Sequence, residues 1–224
     1  MSEKKFLDRI DPNSNNFVII NGVIESEFTF SHHTKGKNFY ETRLIVQRYS
    51  GNIDYIPIVV EEALVKDNVQ GKWIEANGEF RSHNYTDKSK HMHLQVYLYV
   101  TTFNMYSDDT KMENLPYSNN IYIKGFLCKP TIIRNTKTRG YVADLLIAVN
   151  RPCNRTDYIP CIVWGKNAKY CSELKVGDQV EFFGRIQSRD YYKKISEEVV
   201  EKRTTYEVSI SAIKLIRTNI KSDN

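Results

Sequence analysis

Short stretches in which apolar and polar residues alternate recur along the whole chain, and the series of them runs twice. Asn16 to Ile24 reads as a first strand with a glycine near its middle, the side chains of a strand pointing to opposite faces in turn. Asn119 to Leu127 repeats it 103 residues later, with Gly22 and Gly125 at the same point in each. A mid-strand glycine permits a bend or bulge where a sheet coils tightly. Next come a polar turn and a second strand: residues 31–37 then Phe39 to Arg48, and residues 134–140 then Tyr141 to Arg151. The third pair is Asp54-Tyr55-Ile56-Pro57-Ile58-Val59-Val60 and Asp157-Tyr158-Ile159-Pro160-Cys161-Ile162-Val163-Trp164-Gly165-Lys166, again 103 apart. A fourth strand spans residues 71–82 in one half and 179–189 in the other, now at an offset of 106. Three residues were therefore gained or lost between the third and fourth strands. Leu94 to Phe103 and Tyr206 to Leu215 close the two series, each after a polar hairpin loop (84–93 and 190–205). Asn167 to Leu174, before the turn 175–178, predicts a short helix.

Separate landmarks at one offset indicate an internal duplication, with a period too long for a solenoid and right for two small domains. Five short strands with a small helix between the third and fourth is the order of the OB-fold, a five-stranded Greek-key barrel. The expectation is an all-β chain with short helices, two OB-folds in tandem. The expected layout is a flexible arm over 1–14, a first OB-fold over 15–103 and a linker over 104–118. A second OB-fold follows over 119–216, then a tail over 217–224.

Composition narrows the classes. The 224 residues are 41% hydrophobic and 26% charged, as in soluble globular proteins. No apolar run approaches the roughly 20 residues a bilayer span needs, and the first residues lack a secretory apolar region. The localisation expected is cytoplasmic. Cys128, Cys153, Cys161 and Cys171 match no zinc or C-x-x-C spacing and read as reduced thiols. His32-His33 reads as part of a flexible loop, and His91-x-His93 lacks further ligands, so no metal and no cofactor is expected. Neither Asp108-Asp109 in the linker nor Glu197-Glu198 in a solvated loop has the partners that metal-assisted catalysis needs. The chain is not expected to be an enzyme. Net charge is +5, and its distribution is uneven. Residues 15–103 carry 9 basic against 10 acidic side chains, while residues 119–216 carry 17 against 10. A polyanion is the natural partner of the second half.

The strand 157–166 has one aliphatic face (Ile159, Cys161, Val163). The other, with Tyr158, Pro160, Ile162 and Trp164, runs toward Lys166. Aromatics on strands commonly serve sheet packing; beside a lysine they also make a base-stacking surface.

The second half resembles bacterial single-stranded DNA-binding proteins. The resemblance is carried by residues 121–127 with Lys129-Pro130, by 142–151, by 158–166, and by Gly177-Asp178-Gln179-Val180 with Gly184-Arg185-Ile186-Gln187-Ser188-Arg189-Asp190-Tyr191. The whole chain is similar to tandem OB-fold members from Gram-positive bacteria, their plasmids and phages. The resemblance implies sequence-independent binding of single-stranded DNA in replication, recombination or repair. It implies that Tyr158, Trp164 and Tyr191 stack on bases, while Lys166, Arg185 and Arg189 meet phosphates. Arg151, Arg155, Tyr122 and Lys124 complete the expected set, with secondary contacts from Tyr55, Arg48, Arg81 and Tyr85 of the first half. Four barrels working together imply a homodimer. A phage-encoded member would act in the host cytoplasm.

Two departures matter. At offset 103, Trp164 corresponds to Glu61, Gly165 to Glu62 and Lys166 to Ala63. A carboxylate repels phosphate, so the first half is expected to have lost that contact. The last residues, 219–224, lack the acidic, apolar tip through which the family recruits partners, so such recruitment is not expected. The alternative is an OB-fold protein-interaction module, such as a primosome or replisome accessory, with weak or no DNA binding.

Overall fold

A computed structural model describes residues 3–87, 90–107, 118–136, 140–194 and 200–217. The expected linker and tail lie mostly outside these residues, as do Asp108-Asp109 and Glu197-Glu198. The first series of alternating stretches forms β1 (Asn16–Ile24), β2 (Thr29–Thr34), β3 (Lys37–Gln47), β4 (Ile53–Glu61), β5 (Trp73–Thr86) and β6 (Met92–Met105). The second forms β7 (Asn119–Leu127), β8 (Ile132–Thr136), β9 (Gly140–Asn150), β10 (Thr156–Trp164), β11 (Gln179–Lys194) and β12 (Val200–Arg217). Helix α1 (Glu3–Leu7) precedes β1, a 3-10 turn (Glu62–Leu64) follows β4, and α2 (Gly165–Cys171) follows β10.

Each series closes on itself. In the first, the neighbours run β1, β3, β4, β6, β5 and back to β1. In the second, β7, β9, β10, β12 and β11 do the same. Of these contacts only β4–β6 and β10–β12 are parallel. This is the OB-fold, twice, with β2 and β8 added as outer hairpin strands. The period-two pattern explains the interiors: along β7 every second residue is buried, and Ile121 and Ile123 face inward fully shielded. Each such side chain contributes about 1.5–3 kcal/mol by leaving water. The paired glycines mark closure. A Cβ on Gly125 would lie 2.6 Å from the Ala148 carbonyl oxygen, and one on Gly22 would strike that of Ile45. Strand one of each barrel meets strand two there, and only a glycine admits the approach.

The barrels join through β1 and β7, which pair antiparallel from Asn16↔Ile123 to Ile20↔Asn119. Val18 pairs with Ile121, its own counterpart at offset 103, so a local two-fold axis passes through that pair.

Three expectations change. The hairpin loops expected at 84–93 and 190–205 are largely ladder, with Asn84↔Leu94 and Asp190↔Thr204 in register. His32 and His33 belong to strand β2 rather than a loop, His32 stacking on Phe39 at 4.9 Å. The amino-terminal arm is anchored by Phe6, which is buried against Phe17 and Phe183. Arg9 adds an ion pair to Glu75. Phe6, the one aromatic among residues 1–14, was the available signal.

Candidate nucleic-acid interface

Residues directly opposite on neighbouring strands share a face, so the register defines the outer surface of the second barrel. One row reads Ile132, Asp144, Ile162, Ser209, Arg185 across β8, β9, β10, β12 and β11. A second reads Arg134, Val142, Trp164, and a third Phe126, Ala148, Tyr158. Trp164, Tyr158 and Arg185 therefore share the outward side of the strands, with Val142, Ile162 and Ser209 of the same rows buried between them. Tyr158 is 36% exposed and Trp164 half-buried. Lys166 stands exposed in the first turn of α2. Phe126 is absent from the sequence-based set although it shares the row of Tyr158; its outward place in the β7 alternation was the signal.

Tyr122 and Lys124 sit elsewhere. Tyr122 packs on Phe183 at 5.2 Å, beside the anchor of α1. Its hydroxyl reaches Glu181, and burial together with that carboxylate pushes the phenol above its ordinary range, so it stays protonated. Lys124 borders a groove with Asn15, Phe126, Asn150 and Gln179, at the margin of the face.

Arg151 and Arg48 are occupied in holding the barrels together. The guanidinium of Arg151 forms a two-point ion pair with Asp157, which is fully buried. It also donates to the Ser82 carbonyl oxygen of the other barrel at 3.3 Å. Asp157 accepts from the Ser82 N–H at 2.6 Å, and the Tyr158 N–H donates to Ser82 Oγ at 2.8 Å. The mirror set is complete. Arg48 pairs with buried Asp54 and donates to the Ser188 carbonyl at 3.1 Å; Asp54 accepts from the Ser188 N–H at 2.7 Å. The Tyr55 N–H donates to Ser188 Oγ at 3.4 Å. Hydrogen bonding to Asp157 is the main reason the Arg151 guanidinium is held charged beyond its ordinary range. The repeated Arg…Asp-Tyr pattern is thus a pair of reciprocal clasps across the axis.

The remaining cations differ in their surroundings. Arg185 is exposed and donates to Gln187 at 3.1 Å; Arg189 approaches the nearly buried Glu207 at 3.4 Å. Arg155 is exposed in the β9–β10 turn. Tyr191, 37% exposed, borders a groove between the two long hairpins with Tyr85, His93, Pro160, Arg203 and Tyr206.

On the first barrel the equivalent outer row reads Thr29, Glu41, Val59, Tyr99, Glu79. Glu79 thus stands where the second barrel has Arg185. Arg81 is spent on Glu79 at 2.9 Å and lies over the Tyr99 ring at 3.5 Å. Glu61, in the place of Trp164, pairs with Lys37 at 2.7 Å, and Glu62 accepts from Tyr40 and Asn38. Tyr55 stays 40% exposed beneath Arg43, and Tyr85 stacks on His93 at 5.2 Å. Among the described residues no three His, Cys, Asp or Glu side chains gather as metal ligands would.

Residues 118–216 match the single-strand binding protein family. Over 80 residues, a third of the chain, it is 34% identical to single-stranded DNA-binding protein 1 of Streptococcus pyogenes. It is 35% identical over the same length to the single-stranded DNA-binding protein of Halalkalibacterium halodurans. These matches span 62% and 48% of the two relatives' own length. The fold is also that of the wild-type single-stranded DNA binding protein from Thermus aquaticus, with a TM-score of 0.68 and 18% identity. That match covers 93% of this chain and 96% of that one.

Proposed function

Because residues 118–216 match the model of the single-strand binding protein family, we propose that the chain binds single-stranded DNA without reading its sequence. The observation that carries this reading is the contrast between the two outer faces. Trp164, Lys166 and Arg185 of the second barrel stand where the first has Glu61, Ala63 and Glu79. Stacking on Tyr158 and Trp164, with Phe126 beside them, contributes about 1–3 kcal/mol per base and tolerates any base. Lys166, Arg155 and Arg185 supply phosphate contacts, which add affinity without sequence information. Tyr191 and Arg189 extend the path along the β11–β12 hairpin, and Lys124 borders it. Arg48 and Arg151 serve the barrel interface, Tyr122 the amino-terminal anchor, and Tyr55, Arg81 and Tyr85 remain secondary.

The chain is non-enzymatic in this reading and protects exposed strands during replication, recombination or repair in the bacterial cytoplasm. It works as a homodimer of four barrels, so light scattering should give twice the 26.2 kDa chain mass; a monomer mass would refute that assembly. DNA binding is tested by titrating intrinsic tryptophan fluorescence with oligo-dT at low and high salt. Quenching that weakens with salt is expected, and Trp164→Ala should remove most of it. If Trp73→Ala removes it instead, the binding face is on the wrong barrel. No signal and no mobility shift at micromolar protein would end the DNA reading.

A further inference from the structure

A groove of about 330 Å³ opens at the carboxyl end of β7, where the amino-terminal arm meets the second barrel. Lys124 and Phe126 of β7, Asn150 at the end of β9 and Gln179 at the start of β11 line it. Residues 12–15 of the arm supply the remaining wall. Phe126 belongs to the row that runs through Ala148 to Tyr158, so the groove opens from a row of the proposed stacking face.

The arm is held there by bonds of its own. Asn15 extends the β1–β7 ladder: its carbonyl oxygen accepts from the Lys124 N–H at 2.9 Å, and its side-chain amide donates to the Asn150 carbonyl oxygen at 2.6 Å. The turn before it closes on Asp11, whose carbonyl oxygen accepts from the Ser14 N–H and whose carboxylate accepts from the Asn13 N–H, both at 2.8 Å. Phe6 and Arg9 fix the far end of the arm. Binding capacity is left over in the groove. Glu181, opposite Lys124 in the register, takes the Tyr122 hydroxyl and Lys214, each at 3.5 Å. The Lys124 ammonium and the side-chain amides of Asn13 and Gln179 make no hydrogen bond or ion pair with the described residues.

Across the axis the matching place is built differently. Asn21 stands for Lys124, Val23 for Phe126 and Trp73 for Gln179, at the offsets of 103 and 106. Asn21 is buried, donates to the Ile74 carbonyl oxygen at 3.4 Å and bonds the Ser118 hydroxyl. Those three residues include no cation, and their one amide is spent. On the Phe126 side a ring, an ammonium and two amides remain unspent.

We propose that this groove is a nucleotide subsite walled by the amino-terminal arm, a base stacking on Phe126 while its phosphate meets Lys124. The inference rests on the single-strand reading above and adds to it a contact made by the arm. An aromatic face accepts any base, and an amide, donor and acceptor at once, matches the edge of any base. The test uses the full chain and a fluorescent dT oligonucleotide. In Asn13→Cys/Cys153→Ser the introduced thiol should react fast with a disulfide reagent, and saturating dT should slow it about tenfold. Lys124→Asn/Phe126→Val, which gives the second barrel the first barrel's residues, should weaken dT binding about fivefold or more. It should also lower the salt slope by about 0.7. Combining the two pairs of substitutions should abolish the protection at saturating dT. Protection that persists there would mean that DNA orders the arm from a distance, and would overturn the subsite. An unchanged labelling rate in Asn13→Cys/Cys153→Ser that still binds dT would overturn it too, with DNA binding intact. So would binding by Lys124→Asn/Phe126→Val within about twofold of wild type. Failure of the wild type to bind dT at low salt would sink the single-strand reading, and this inference with it.

Discussion

At the scale of single residues, a side chain's charge says less about its role than the partner it has found. Arg151 ends its strand as Arg48 does, and from sequence both fit a phosphate contact; both are instead locked to buried aspartates. The two readings predict opposite outcomes for Arg151→Ala. A phosphate contact would cost about one unit of salt slope and no stability. The clasp costs about 3–5 kcal/mol, because Asp157 would be left buried and unpaired. Urea unfolding should show the stability loss, and Asp54→Ala should show it for the mirror clasp. The aspartates' role was not legible, since the partner serine comes from the other barrel at an offset no local pattern reveals.

The cysteines give a second residue-scale prediction. Cys153 is exposed, whereas Cys161 and Cys171 are buried. Burial pushes the Cys171 thiol up to about 12 and Cys161 well above its ordinary value of 9.0. Native protein should therefore show one fast thiol toward a disulfide reagent, lost in Cys153→Ser. The same shift has a pH consequence. A thiol raised in the folded state contributes stability that is complete below about pH 9, where the unfolded chain starts to lose the proton, and is lost as pH rises toward 12. Urea midpoints should fall more steeply over that range in wild type than in Cys171→Ala.

At the scale of elements, the alternation pattern located all ten barrel strands, because burial on one face writes itself into the sequence with period two. It failed at the hairpins. Asn84, Asp190 and Thr204 are polar on both faces of strands that leave the barrel, so backbone pairing there has no hydrophobic signature. The β2 and β8 strands were missed for the same reason, being exposed along much of their length. Helix α1 is too short to show a period and is held by Phe6 packing on Phe17 and Phe183. Phe6→Ala should cost about 3 kcal/mol and expose the α1 contact face to added protease, measured as a faster cleavage within the first ten residues. An unchanged cleavage rate would mean that Arg9 and Glu75 alone hold the arm.

At the scale of the whole molecule, the proposed binding face of the second barrel was legible because Tyr158, Trp164 and Lys166 are contiguous in one strand and the helical turn after it. Phe126 was not, because it reaches the same face from another strand. If strand binding lies chiefly on the second barrel, Glu61→Trp/Ala63→Lys should strengthen binding and lengthen the occluded site, measured by the stoichiometry of dT titration. An unchanged stoichiometry would mean that Glu41 and Glu79 still exclude the strand.

The pairing of Val18 with Ile121 has a consequence for how this molecule can change. In an assembly of identical single barrels, every substitution appears on both sides of the two-fold axis at once. Here the two sides are encoded separately. A contact that crosses the axis still needs both halves to agree, and the two clasps have stayed matched. A surface facing away from the axis answers to nobody, and there one copy holds tryptophan while the other holds glutamate. Joining the barrels in one chain thus made the molecule a heterodimer in all but its seam, free to specialise each outer face without disturbing the axis that unites them.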